Sequence, residues 1–310
     1  MQRSLWMGAP PSLCRCEKEE SMGSEKKDRS RLKDGLWAAL RWKPLACAAE
    51  NGVFWMVIFL GTLSVLSLFS AGRQAIQTGG GKVRNLAQGR SHRTEEGLRP
   101  ICSVDNGLPQ VALTFELTKG TEGVEEVLGV LDEEQVRATF FISGHWALEQ
   151  PALAKEIGRR GHDIGSLGLS GRSMETIGRE ERREEILQAR QAIQEATGKE
   201  PVLFRPPADR YDDELLTLIC GLGCQPVLWD VDSFDWKDYG QEQLKKQVLG
   251  AEGLQAGSIL RFHCGARYTP GALGEIVRGL KERGAVITPL SQMIIREDYH
   301  LDVDGRQRAD

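Results

Sequence analysis

From Gln110 onward, short apolar runs alternate with amphipathic stretches, the rhythm of strands followed by helices. VALTF at 111–115 reads as a strand and TEGVEEVLGVLDEEQV as a helix, followed by strand ATFFIS, helix PALAKEIGRRG and short strand HDIG. A long charged helix over about Glu175 to Thr197 ends before Gly198, where a glycine C-cap is expected. Strand VLFRPP, helix DDELLTLICGLG, strand PVLWDV, helix QEQLKKQVLG, strand GSILRFH, helix GALGEIVRGLKERG and strand AVITPL complete the series. Repeated β-then-α units imply a parallel sheet, and about seven of them favour closure into a barrel over an open sheet.

Before Gln110 the pattern changes. Residues 1–50 mix charge with Pro, Ser and Gly without a sustained period and read as a disordered tail. No charged residue lies between Glu50 and Arg73, and the run Asn51–Gly72 is long enough to cross ~30 Å of hydrocarbon as a helix. It reads as a single membrane anchor, with a cleaved signal peptide as the alternative. Residues 73–104, with GGGK at 79–82, read as a flexible linker, which leaves 105–300 as the folded domain. Arg3, Arg15, Lys18, Lys26, Lys27 and Arg29 add to the basic residues just before the span. They tip the positive-inside balance toward a cytoplasmic N-terminus and an extracytoplasmic barrel.

Composition adds limits. At 40% hydrophobic and 27% charged the chain is ordinary globular material. A net charge of −4 with no basic stripe argues against a nucleic-acid partner. Cys220 and Cys224 stand four apart on an expected helix, but no second Cys/His pair has zinc-site spacing, so they read as small buried hydrophobes.

In a barrel of this kind chemistry belongs at the carboxyl ends of the strands. Those ends carry Glu116, Gly144 and His145, Arg205, Asp232 and Asp235, and His263. An acid, a guanidinium, two more acids and an imidazole converging from different strands exceed what a purely structural barrel needs.

The words ATFFISGHWA, GHDIGS, FRPP, DVDSFDW and GSILRFH, in that order over about 105–295, resemble the polysaccharide deacetylase family with its NodB-homology domain. The resemblance implies a distorted (β/α) barrel that removes acetyl groups from N-acetylglucosamine units of peptidoglycan, chitin or related polymers. It also implies a divalent metal such as zinc, held by one Asp and two His, which activates water and polarises the acetyl carbonyl. Residue by residue, Glu116 takes the general-base position, His263 that of the acid, and Arg205, Asp232 and Asp235 the charged positions of the third and fourth motifs. Pro206 and Trp236 are the expected substrate contacts.

The three metal-ligand positions implied by the resemblance hold Leu117, Leu167 and Gly171, none of which can coordinate through its side chain. Ala208 and Asp209 replace an aromatic and a Gly, Arg261 an apolar residue, and Cys264 an Asp. The expectation is a pseudoenzyme without a metal cofactor that binds cell-wall polysaccharide. The alternative is an active deacetylase, either metal-free or with a rebuilt shell drawn from His263, Cys264, Asp232, Asp235 and Glu116, with His162 and His145 nearby. Nothing in the residues names a protein partner.

Overall fold

Every ladder of the main sheet is parallel. The computed structural model describes residues 93–94 and 97–310; the expected tail, the anchor and the greater part of the linker lie outside them. Among the described residues no helix is long and apolar enough to cross a membrane. The described chain opens with a small antiparallel pair, β1 (Arg93–Thr94) and β2 (Gly97–Leu98), and then β3 (Ser103–Asp105). The central strand β4 (Gln110–Leu117) follows, and helix α1 (Val124–Glu133) leads to β5 (Thr139–Ile142). Helices α2 (Gly144–Glu149) and α3 (Pro151–Arg159) lead to β6 (Asp163–Ser166), and α4 (Arg179–Thr197) leads to β7 (Leu203–Phe204). Helix α5 (Asp213–Gly221) precedes β8 (Gln225–Pro226) and β9 (Val231–Asp232). The series continues with α6 (Gln241–Leu249), β10 (Ile259–His263), α7 (Thr269–Glu282) and β11 (Val286–Ile287).

The sheet order is β8-β7-β6-β5-β4-β10-β9, with β11 also on β4. This parallel sheet with its helices is consistent with a distorted (β/α) barrel. β4 is buried from Val111 through Phe115, as a parallel strand covered on both faces must be. Leu113, Phe115 and Leu117 pack in one apolar cluster with α1 and α7, whereas Ala112 joins a second cluster with Phe141, Leu167, Leu203 and Ile259. Thr114 and Glu116 share the face of Ala112 by the period-two alternation of a strand.

The expected strand PVLWDV is instead two short strands on opposite edges of the sheet. Val227 bridges Ile101, the Leu228 N–H donates to the Ile101 carbonyl, and Asp230 accepts from the Ile259 N–H and the Ser258 hydroxyl. Backbone groups leaving one edge are thereby satisfied while the chain crosses to the other.

The fold also extends on both sides of 105–300. Ile101, Val104, Tyr299 and Leu301 are buried in the second cluster. β3 pairs with β13 (Arg306–Ala309), which pairs with β12 (Tyr299–Leu301). Residues 101–104 thus belong to the core rather than to a linker. Asp304-Gly305, with Gly305 at φ 75, marks that last hairpin. The long helix begins at Arg179, later than expected, because the carbonyls of Met174, Glu175 and Ile177 turn back to the Arg182 guanidinium. It ends on Gly198 at φ 73, a left-handed cap.

Candidate functional site

Glu116 and His263 are direct neighbours in register, because β10 lies beside β4 and pairs His263 with Glu116. Their side chains meet at 3.7 Å, Nε2 to Oε2. Each is held from behind by a group from another strand end. Arg205, just past β7, donates from Nη1 to Glu116 at 3.2 Å, and from Nη2 to the Thr114 hydroxyl at 2.9 Å and the Leu228 carbonyl at 3.1 Å. Its guanidinium lies 4.1 Å over the Phe141 ring. That ring fills the space a side chain at Gly165 would need, a Cβ there coming within 2.5 Å of it. Burial pulls the Arg205 pKa down to about 10, against the attraction of Glu116. It remains charged at neutral pH.

Asp235 plays the corresponding part for His263. Its Oδ1 lies 2.7 Å from Nδ1, and its Oδ2 accepts from the His263 N–H and the Thr269 hydroxyl, each at 2.7 Å. Burial disfavours the imidazolium, but the hydrogen bond and charge of Asp235, with the charge of Glu116, prevail and raise the pKa; Arg261 acts against them. The result is a carboxylate facing a carboxylate-supported imidazole, an arrangement able to take and return a proton.

Other expected site residues fall elsewhere. Asp232 accepts from the Phe234 N–H and pairs with Arg261 rather than with Glu116 or His263. Pro206 is buried. Trp236 is 55% exposed on a single 3₁₀ turn, Asp235–Lys237. Cys264 points into the helix-side cluster, where burial pushes its thiol far above the ordinary range. His162 is buried, its Nδ1 accepting from the Ala138 N–H and its ring edge-on to Phe140, and His145 is exposed on α2. Cys264, His162 and His145 thus stand apart from His263, and among the described residues no group of three or more His, Cys, Asp or Glu could hold a metal ion.

The positions where the family resemblance implies ligands do not fit a metal. Leu117 and Leu167 are each 2% exposed and lie in two different apolar clusters. Gly171 has φ 69, and a Cβ there would stand 2.8 Å from the Thr118 methyl. The departures at Asp209 and Arg261, in contrast, complement each other. Arg261 donates to both Asp209 oxygens, at 3.1 and 3.3 Å, and stacks 3.6 Å from the Trp229 ring. Two departures of opposite charge were the sequence signal for this pair, but its partners could not be read without the loop geometry.

The described residues thus form a parallel α/β sheet whose strand ends bring together Glu116 and His263, backed by the Arg205 guanidinium and the Asp235 carboxylate. The polysaccharide deacetylase profile matches residues 103–227. A chitooligosaccharide deacetylase of Sinorhizobium fredii is 30% identical over 63% of this chain and 96% of its own length. The chain belongs to the polysaccharide deacetylase family. A peptidoglycan-N-acetylglucosamine deacetylase of Bacillus cereus is 30% identical over 59% of this chain and 68% of its own length. Among solved structures, a CE4 family pseudoenzyme of Bacillus anthracis superimposes with a TM-score of 0.60 at 25% identity, covering 67% of this chain and 72% of that one.

Proposed function

We propose that this chain binds N-acetylglucosamine-containing cell-wall polymer at the strand ends and has lost metal-dependent deacetylation. The observation that carries the reading is a contrast within one site. Glu116 is hydrogen-bonded to Arg205 and His263 to Asp235, and the two pairs meet at the 3.7 Å contact between Glu116 and His263, while the family's ligand positions hold two buried leucines and a glycine without room for a side chain. A ligand set cannot arise from nearby acids alone, since metal sites need fixed geometry and a supporting shell. The names of the similar deacetylases point to chitooligosaccharide or peptidoglycan as the polymer class. The uncharged run 51–72 supports attachment of the domain outside the cytoplasmic membrane by one helix.

Purified protein should carry no stoichiometric zinc, cobalt or nickel by elemental analysis, should release no acetate from chitin oligomers, and should bind them by calorimetry. Stoichiometric metal together with acetate release would overturn this reading. A second reading has one observation in its favour, the 3.7 Å contact between Glu116 and His263, which suits a metal-free base and acid. It lacks the Lewis acid that contributes several kcal/mol to amide hydrolysis. Slow acetate release that survives chelation and is abolished in Glu116→Gln would favour it.

A further inference from the structure

Arg261 stands two residues before His263 on β10, so both side chains leave the strand on the same face. Asp209 comes from the single turn Pro207–Asp209 that follows β7. In the sheet, β6, β5 and β4 lie between β7 and β10, so the Asp209–Arg261 ion pair joins strand ends that no ladder connects. It runs as a chord across the face that carries the site. Arg205 and Glu116 form a second such chord, with 1% and 17% of their side chains exposed, whereas Asp209 is 45% exposed and its pair is the outer of the two. Burial, with the charges of Glu116 and Asp232, raises the Asp209 pKa against the pull of Arg261 and Arg205. Asp209 therefore stands within the electric field of the Glu116–His263 site.

The turn is held there against its own preferences. Ala208 and Asp209 are consecutive non-glycine residues at φ 56 and φ 59, conformations that persist only where the surroundings impose them. On one side Pro207 is buried, and on the other both Asp212 oxygens accept from Arg182 Nη1, at 2.8 and 2.9 Å. From Ala208 to Tyr211 the chain is exposed. Among the described residues, the bonds from Arg261 to Asp209 are the only hydrogen-bonded tie between this stretch and the strand ends. Arg261 does not depend on Asp209 in return, because it is also bonded to Asp232 and stacked on Trp229. Loss of the Asp209 carboxylate thus frees the turn and leaves the guanidinium in place.

We infer that the Pro207–Asp209 turn is an autoinhibitory strap: Asp209, latched on Arg261, bars the polymer from the Glu116–His263 site, and release of that carboxylate opens the way. The inference rests on the glycan-binding reading above. Its test compares the full chain with Asp209→Asn and Asp209→Gly, which remove the charge with residues that suit a positive φ. Trypsin cleavage tracks the open population when opening is fast. Without any glycan, cleavage after Arg210 should be about tenfold faster in both variants, the gain when an open fraction of about 10% becomes the whole population. By calorimetry both variants should bind the hexasaccharide of N-acetylglucosamine tighter than the wild type by the same factor. Unchanged cleavage would overturn the latch. Faster cleavage with unchanged hexasaccharide affinity would overturn the strap as a barrier and leave glycan binding standing. Failure of all three proteins to bind would overturn the glycan reading and the barrier with it.

Discussion

His263 has one imidazole nitrogen 2.7 Å from Asp235 and the other 3.7 Å from Glu116, so the ring lies between two carboxylates. A proton on each nitrogen satisfies both, which is why the charged form is favoured despite burial.

The His263 pKa should therefore lie above 6.5 in an NMR titration of the ring. Because the folded value is raised, its contribution to stability is fully present below the unfolded pKa and fades as pH rises through the folded one. Asp235→Asn should lower the pKa and destabilise the domain by about 1–3 kcal/mol, by weakening hydrogen bonds from His263 and Thr269. An unchanged titration in that variant would remove Asp235 as the cause.

His162 should show the opposite pH dependence. Burial holds its pKa down at about 4, so stability is fully present above the unfolded value near 6.5 and lost as pH falls toward 4. Urea melts at pH 7 and 4.5 should show a smaller acid loss in His162→Leu than in the wild type. At pH 7 the variant should be weaker than the wild type by about 1–3 kcal/mol, because the Ala138 N–H loses its acceptor, and this deficit should shrink at pH 4.5.

Arg205→Ala should destabilise the domain and not merely weaken ligand binding. Only 1% of its side chain is exposed, and its loss strands Glu116 and Thr114 and uncovers Phe141. Breaking one side of a buried pair costs roughly 3–5 kcal/mol, and thermal melts should register it. Trp236→Ala, at an exposed position, should leave the melt within about 0.5 kcal/mol, which makes it the cleaner variant for testing sugar binding.

Restoring ligands should meet resistance from packing. Leu117→Asp places a carboxylate in the helix-side core, and Gly171→His meets the Thr118 methyl at a positive φ. Gly171→His should be destabilising, and Thr118→Ser, which deletes that methyl, should recover part of the loss. A coupling of about 0.5–3 kcal/mol is expected for residues in contact. Additive effects in a double-mutant cycle would show that the methyl is not the obstacle.

The alternation of apolar runs and amphipathic stretches determined the strand and helix sequence, because a buried parallel strand and a one-faced helix need those periods wherever they sit. It also set Glu116 and His263 at strand ends, and the glycine that closes the long helix at 198. Tertiary structure alone decided which groups meet. Asp235 rather than Asp232 supports His263, while Asp232 pairs with Arg261, which also holds Asp209. The run 226–231 splits between two sheet edges because Ile101 enters between them, a pairing across more than a hundred residues that no local pattern encodes. Leu117 and Leu167 are adjacent in the family's ligand logic yet pack in separate clusters. Side-chain direction at a strand end is set by neighbouring strands and loops, and only the assembled sheet supplies those.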